Sequence, residues 1–251
     1  MAFSTNFAGF LEVRLTLQRS LQLKKADFRP QRDVVRGIVK IGVPVAVQDG
    51  FIQISFIVIT IIANHRGLTD AAAVGIVEKI MSFLFLVPSS MLSTVSALGA
   101  QNIGAGKPER AIRTLLWAIA LCCGFNALVV AAVQFAAEPL VGLFTPDAAV
   151  AVSGGQYLRG YVWDSFFAGV QFSFSGYFCA CGKSGLSFLH NFLSILLVRV
   201  PGAYLASRLF PQTLLPMGLS NAAGSLFSIL VCVIAFAVLR RRTAKEGSLY
   251  G

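Results

Sequence analysis

The chain has 251 residues, of which 56% are hydrophobic and only 13% are charged. Soluble domains carry about 25% charged residues, so this composition excludes an ordinary soluble fold. The formal net charge of +10 does not indicate nucleic-acid binding, because the basic residues cluster at the ends of apolar stretches instead of along one soluble face.

Residues 1–35 precede the first long apolar stretch and form a separate segment. Within it, residues 3–23 mix apolar and basic side chains, as an amphipathic helix at the membrane interface does. The alternative is the frayed end of a preceding span followed by a basic cytoplasmic linker. Glu12 and Arg14 interrupt this stretch, so it lacks the apolar core of a secretory signal peptide.

The rest of the chain contains long apolar stretches. Three runs, residues 80–106, 114–137 and 209–239, contain no Asp, Glu, Lys or Arg. Each exceeds the roughly 20 residues that a helix needs to cross a membrane, and none alternates as barrel strands do. We therefore predict an all-α integral membrane protein, a six-transmembrane-helix bundle with spans at residues 38–63, 71–99, 112–136, 148–178, 187–210 and 214–239.

The basic residues are distributed unevenly between the two ends of these spans. One end carries most of them, and the other carries Arg66 and Arg208 beside the acidic residues Asp70, Glu138 and Asp147. By the positive-inside rule, both termini are predicted to be cytoplasmic. The basic end contains Lys24, Lys25, Arg29, Arg32, Arg36, Lys40, Lys107, Arg110, Arg113, Lys183, Arg240, Arg241, Arg242 and Lys245.

No motif in the sequence indicates an enzyme, a metal site or a cofactor. Residues 104–107 read GAGK, but Gln101 stands where a phosphate-binding loop needs its first glycine, and Pro108 replaces the Ser or Thr that binds magnesium. The cysteines lack CxxC spacing and lie in predicted spans, so we expect them to pack as small apolar residues. They are Cys122, Cys123, Cys179, Cys181 and Cys232.

Ionisable and amide side chains inside the spans are candidates for function, because they are costly in hydrocarbon. Asp49 lies about two turns into the first span, and Gln53 follows one turn deeper on the same face. Together these two side chains are able to coordinate a cation or to accept a proton. The alternative places Asp49 near the interface, paired with a basic residue.

The strongest candidate is Asp164 in the fourth span. Gln171 follows it by seven residues and shares its face of the helix. A carboxylate at this depth suits reversible protonation or contact with a cation; the alternative is a buried structural ion pair. Arg199, in the fifth span two residues before Pro201, is the hypothesised partner of Asp164, and the proline permits a kink there.

Other polar or aromatic residues are given structural roles. Glu78 and Lys79 enter the second span together and are expected to pair with other helices or to extend towards the interface. His65 and His190 are expected at span ends in solvated or interfacial positions. The fourth span carries aromatic rings that either line a cavity for flat cations or face lipid: Phe166, Phe167, Phe172, Phe174, Tyr177 and Phe178.

Residues 96–111 read SALGAQNIGAGKPERA, which closely resembles the cytoplasmic loop signature GQN-GAG-ERA of the multidrug and toxic-compound extrusion family. Residues 41–44 (IGVP), residues 199–205 (RVPGAYL), Pro88, Gly176 and Gly182 resemble further motifs in the family's order. The resemblance covers residues 36–242 and implies the carboxy-terminal half of a twelve-helix transporter, helices seven to twelve. Residues 1–35 then resemble the linker between halves, and residues 243–251 a cytoplasmic tail.

One departure from the family concerns its cation site. A bacterial branch places a cation-binding Glu in the first helix of this half and an Asp in the fourth. Those positions fall on Ile52 and Ala168 here, with Gln53 and Asp164 nearby. The ion site is therefore displaced, located in the other half, or missing, and coupling to protons or to sodium stays open.

The resemblance implies secondary active efflux of amphipathic or cationic small molecules by proton or sodium antiport. The protein is then a multi-pass component of a bacterial cytoplasmic membrane, working with a second six-helix lobe or as a self-dimer. The candidate cation- and substrate-binding residues are Asp49, Gln53, Asp164, Gln171 and Arg199. The alternatives are a flippase of related fold for a lipid-linked precursor, or a non-functional transporter fragment.

Overall fold

The computed structural model describes residues 32–247 of the chain. Most of the predicted linker and the end of the predicted tail therefore lie outside the described residues. Among the described residues, those from Lys40 to Gly247 form one compact unit, and those before Lys40 do not belong to it. The helices are α1 Arg32–Asn64, α2 Leu68–Leu84, α3 Leu86–Gly104, α4 Pro108–Gly142, α5 Ala148–Ala180, α6 Ser184–Ser194, α7 Val200–Leu209 and α8 Leu215–Gly247, with a π-helical turn at Ile195–Arg199.

Five stretches of the described chain are long and apolar enough to cross a membrane, and they coincide with five of the six predicted spans. They are Val35–Asn64, Leu68–Gly104, Pro108–Gly142, Ser184–Leu209 and Leu215–Arg241. The remaining predicted span is α5, whose 33 residues extend about 50 Å at 1.5 Å per residue. It is long enough to cross but carries more polar side chains than the others.

Two of the spans are interrupted helices. The second changes from α2 to α3 at Phe85, because Pro88 has no N–H to donate to the carbonyl of Leu84. The fifth contains the π-helical turn, in which the N–H of Val200 donates to the carbonyl of Ile195, five residues earlier. The sequence predicted a bend at Pro201. In the structure the irregularity is the π-helical turn that precedes the proline and ends at Arg199.

Helix α5 lies at the centre of the bundle, where it packs against α2, α3, α4, α6 and α8. It approaches α8 closely where Gly160 and Gly218 face each other. A Cβ on Gly160 would collide with the backbone carbonyl of Leu215, and a Cβ on Gly218 would collide with that of Tyr157. The missing side chains therefore let the two backbones touch, as small residues do between membrane helices.

The buried apolar side chains form two clusters, one on either side of the polar middle of α5. The larger contains residues of α1, α2, α4, the first half of α5 and α7, including Ile59, Val77 and Leu158. The smaller surrounds Phe178 near the other end of α5 and includes Cys232. Cys122, Cys179 and Cys232 are buried, and the cysteines form no disulfide within residues 32–247.

Candidate functional site

A cavity of about 520 Å³ opens between α1, α2, α3, α5 and α6. Its wall combines charged, amide and aromatic side chains with aliphatic ones. It is lined by Asp49, Ile52, Gln53, Phe56, Glu78, Lys79, Met81, Ser82, Phe85, Leu86, Ser89, Tyr161, Gln171, Phe172, Asn191, Ile195 and Arg199. Four of the five predicted site residues line this cavity, and Asp164 does not.

Two carboxylates reach the cavity from facing helices. Asp49 on α1 is exposed within it, and Glu78 on α2 is half-buried. The hydroxyl Oγ1 of Thr60 donates to Glu78 Oε1 over 3.3 Å, which connects α1 to α2 beside the cavity. The sequence favoured a structural role for Glu78, and this contact agrees, but the structure also places Glu78 in the cavity wall.

The amide side chains contribute differently on the two sides of the cavity. Gln53 on α1 is exposed. Gln171 on α5 is buried and donates from Nε2 to Asn191 Oδ1 on α6, over 3.0 Å, while its own Oε1 has no hydrogen-bond partner within the described residues. Gln171 therefore ties α5 to α6 at the cavity wall and keeps one acceptor unused.

Asp164 and Arg199 form the ion pair that the sequence suggested. Arg199 Nη2 donates to Asp164 Oδ1 over 2.9 Å and to Oδ2 over 3.1 Å. It also donates to the hydroxyl of Ser225 on α8, over 2.7 Å. Asp164 is 0% exposed and Arg199 7%. The pair therefore joins α5, the π-helical turn and α8, and only its arginine reaches the cavity.

The side chain of Arg199 crosses α8 at Gly224. A Cβ on Gly224 would collide with Arg199 Cγ and would lie 3.0 Å from Nε. The glycine therefore leaves a groove on α8 through which the guanidinium reaches Asp164. No periodic pattern in the sequence predicts this contact between Arg199 and Gly224.

The prediction for His190 is wrong. It is buried inside the bundle, where its Nε2 lies 2.9 Å from the hydroxyl of Ser175 and its Nδ1 lies 2.5 Å from that of Ser228. Its position near the start of a span suggested solvent, but α5 and α8 cover this face of α6. His65, by contrast, is exposed at the end of α1, as expected.

The aromatic side chains of α5 divide between the cavity and the core. Phe172 and Tyr161 line the cavity, together with Phe56 and Phe85. Phe174, Tyr177 and Phe178 belong to the smaller apolar cluster. Among the six rings that the sequence marked on the fourth span, Phe172 alone therefore faces the cavity in the described structure.

The two positions that depart from the family's cation site have different surroundings. Ile52 lines the cavity beside Gln53, whereas Ala168 is fully buried. No cluster of three or more His, Cys, Asp or Glu side chains with metal-binding geometry occurs in residues 32–247. The acidic groups at the cavity are instead Asp49 and Glu78.

Comparison with known proteins gives consistent results for sequence and structure. The probable multidrug resistance protein NorM of Xanthomonas axonopodis pv. citri is 29% identical to this chain over 136 residues. The matched residues are 54% of this chain and 29% of that protein. The multidrug export protein MepA of Staphylococcus aureus is 24% identical over 231 residues, which is 92% of this chain and 50% of that protein. The matched part of the chain thus corresponds to half or less of the length of these relatives.

Solved structures show the same partial coverage. A crystal structure of MATE in the straight conformation superposes with a TM-score of 0.81 at 18% identity, covering 93% of this chain and 54% of that one. A transporter of the MOP superfamily from Pyrococcus furiosus superposes with a TM-score of 0.77 at 16% identity, covering 92% and 53%. At these identities the likeness establishes the fold, a six-helix lobe.

The family model described as MatE matches residues 44–205, and this range contains α2 to α6 together with the cavity wall. The matched residues make up more than half of the chain. The loop signature at residues 96–111, the helix order and the structural neighbours all agree with this match. The chain therefore belongs to the multidrug and toxic-compound extrusion family, a family of membrane transporters.

Proposed function

We propose that the chain is the carboxy-terminal six-helix lobe of an exporter that extrudes organic cations across the cytoplasmic membrane, with both termini in the cytoplasm. An inward proton or sodium gradient drives export by alternating access between this lobe and a second one. The names of the NorM and MepA relatives support multidrug transport, and their greater lengths support a second lobe. The substrate crosses unchanged, so the protein is not an enzyme.

The observation that carries this proposal is the composition of the cavity. Its volume, about 520 Å³, lies within the range of about 300–1,000 Å³ that is typical of small-molecule sites. Asp49 and Glu78 supply negative charge, and Phe56, Tyr161 and Phe172 supply ring faces and apolar surface. Carboxylates beside aromatic rings attract a flat amphipathic cation by charge and by cation–π contact.

The ion coupling follows from competition for the same carboxylates. A proton or a sodium ion that occupies Asp49 or Glu78 removes the charge that attracts the organic cation, so the two ligands exclude one another. Gln53 and Gln171 add amide oxygens to this wall. Asp164 lies behind the cavity wall, where its contact with Arg199 holds the π-helical turn in place. Asp164 therefore binds an ion only when its pair with Arg199 opens.

Binding of a fluorescent organic cation tests the site. Ethidium is titrated into the purified chain in lipid nanodiscs, and fluorescence anisotropy gives the dissociation constant. Glu78→Gln and Asp49→Asn each remove one cavity charge and are expected to weaken binding roughly tenfold, which corresponds to about 1.4 kcal/mol. Glu109→Gln is the matched control, because Glu109 is exposed at the start of α4, away from the cavity.

Ion competition is measured on the same samples. Raising sodium at constant ionic strength, or lowering the pH, is expected to weaken ethidium binding to the native chain, because linked ligands reduce each other's affinity reciprocally. Glu78→Gln is expected to lose most of this effect. Unchanged affinity under both ions would contradict antiport, and equal effects of Glu78→Gln and Glu109→Gln would contradict the cavity as the site.

An anionic cargo is the second candidate, because Lys79 and Arg199 also line the cavity. A relative from Shewanella oneidensis that is 29% identical over 129 residues, 51% of this chain and 28% of that protein, is named an FAD transporter. FAD is therefore included as a competitor. Displacement of ethidium by FAD at lower concentration than by an unlabelled cation, abolished by Lys79→Gln, would reassign the cargo to an anionic dinucleotide.

A further inference from the structure

A second cavity, of about 480 Å³, lies at the opposite end of the bundle from the family's loop signature. It is lined by Ile62, His65, Arg66, Tyr204, Ser207, Arg208 and Pro211. These residues come from the end of α1 and the end of α7, where two of the apolar spans stop. The cavity therefore lies at the level where the hydrocarbon ends and lipid headgroups begin.

Arg66 holds the walls of this cavity together, and each nitrogen of its guanidinium donates hydrogen bonds within the protein. Its Nε donates to Asp70 Oδ2 over 2.7 Å. Its two terminal nitrogens donate to the backbone carbonyls of residues 207, 210, 211 and 213 over 2.9–3.3 Å. The guanidinium thus fixes the loop after α7 against the turn after α1, and its charge is balanced by Asp70, which does not line the cavity.

Arg208 and His65 remain available at the wall. Within residues 32–247 the guanidinium of Arg208 has no hydrogen-bond acceptor and no carboxylate partner; it lies over the ring of Tyr204, 5.5 Å from the centroid. The His65 ring and the Tyr204 hydroxyl likewise donate to nothing in this range. No carboxylate is among the described lining residues. The cavity therefore presents several unused donors and an unbalanced positive charge.

The surface beside these donors is apolar. Ile61 on α1 and Leu205 and Leu209 on α7 are 49%, 54% and 68% exposed. A phosphate bound by Arg208 would thus have acyl chains of the same molecule running along α7. This combination of a polar, positively charged pocket and an adjacent apolar strip suits a whole lipid better than a soluble anion.

We propose that this cavity, named here the Arg208 cavity, binds the phosphate of an anionic phospholipid. The Arg208 guanidinium pairs with the phosphate oxygens in the bidentate geometry that arginine provides. His65 and the Tyr204 hydroxyl supply further donors, and the leucines of α7 contact the acyl chains. This site is separate from the proposed substrate cavity and stands whether or not the chain transports cations.

The test counts and titrates lipids on the purified chain. Native mass spectrometry in detergent, with phosphatidylglycerol or phosphatidylcholine added at equal concentration, measures the fraction of chains that retain one lipid. Phosphatidylglycerol is expected to be retained at least tenfold more tightly than phosphatidylcholine. Arg208→Gln is expected to abolish this preference, and Arg208→Lys to restore part of it, because lysine keeps the charge but loses the bidentate geometry.

Arg113→Gln is the matched control, because Arg113 is an exposed arginine on α4 at the other end of the bundle. It is expected to leave the preference unchanged. Equal retention of the two lipids, or equal losses in Arg208→Gln and Arg113→Gln, would overturn the proposal. Glycerol 3-phosphate provides the arm for a soluble ligand: displacement of phosphatidylglycerol at comparable concentration would assign the site to a free phosphate compound and overturn the lipid assignment.

Discussion

Helices α4 and α5 are neighbours of nearly equal length, but α4 is largely exposed and α5 is largely buried. Helix α4 exposes apolar side chains along much of its surface: Leu128 is 74% exposed and Phe135 88% exposed. Helix α5 is enclosed by its neighbours, and it carries a buried Asp164, Gln171 and a series of serines. More of the side chains of the polar helix α5 than of the apolar helix α4 are therefore buried against other helices of the lobe.

This difference shows what hydropathy reports. An apolar helix is required where the surroundings are lipid, because hydrocarbon offers no hydrogen bonds. A helix in the centre of a lobe is free to carry polar side chains when neighbours satisfy them, and α5 receives Arg199, Asn191 and His190 as partners. The span that is least apolar is therefore the one that organises the lobe.

The largest expected effect comes from opening the buried ion pair on α5. Asp164→Asn leaves the Arg199 guanidinium buried without its carboxylate. Removal of one partner from a buried pair costs about 3–5 kcal/mol, and we expect a loss of this size in the free energy of unfolding. The measurement is SDS-induced unfolding of the chain in mixed micelles, followed by circular dichroism.

Two variants make this test specific. The double variant Asp164→Asn/Arg199→Gln removes both charges and is expected to lose much less than the two single variants combined. The control is Glu138→Gln, which removes the charge that pairs with Arg159 over 3.0 Å; the side chains of Arg159 and Glu138 are 32% and 40% exposed. That variant is expected to lose less than about 1 kcal/mol. Additive losses in the double variant would refute the coupling.

Much of this arrangement could be predicted from the sequence. The spans are visible as long apolar stretches, and α5 is recognisable despite Asp164 because long apolar and aromatic segments flank it. The pairing of Asp164 with Arg199 was a sound hypothesis because each is an isolated charge within a span, where a partner of opposite sign is needed. The family followed from residues 96–111.

The positions of other residues depended on the three-dimensional packing. Glu78 reaches the cavity because of the rotation of α2 about its axis, which no periodicity in a uniformly apolar span specifies. His190 is buried because Ser228, 38 residues later in the chain, faces it. The groove at Gly224 and the opening of the Arg208 cavity likewise arise from contacts between distant segments, which a single sequence does not reveal.

A smaller effect is expected from adding one methyl group to each helix. Gly160→Ala on α5 places a Cβ against the backbone of α8, at the carbonyl of Leu215 and 2.9 Å from the nitrogen of Leu219. Backbone atoms cannot rotate away, so we expect a loss of about 1–3 kcal/mol in the free energy of unfolding.

The matched control is Gly124→Ala on α4, where no atom lies within 4 Å of the added Cβ. Alanine is the better helix former, so the control is expected to be neutral or to gain up to about 1 kcal/mol. Equal destabilisation by the two substitutions would mean that the α5–α8 crossing is looser than its geometry indicates, and that α4 is more constrained.

The smallest effect is expected on the exposed side of α4. Leu128→Ala exchanges a side chain that mainly contacts lipid for a smaller one that also does, so we expect a change below about 0.5 kcal/mol in the free energy of unfolding. Leu158→Ala on α5 is the matched control: its side chain is 0% exposed, and the cavity left behind is expected to cost about 2–5 kcal/mol. A loss at Leu128 comparable to that at Leu158 would indicate that a protein surface, such as a second lobe or another copy of the chain, covers α4 in the membrane.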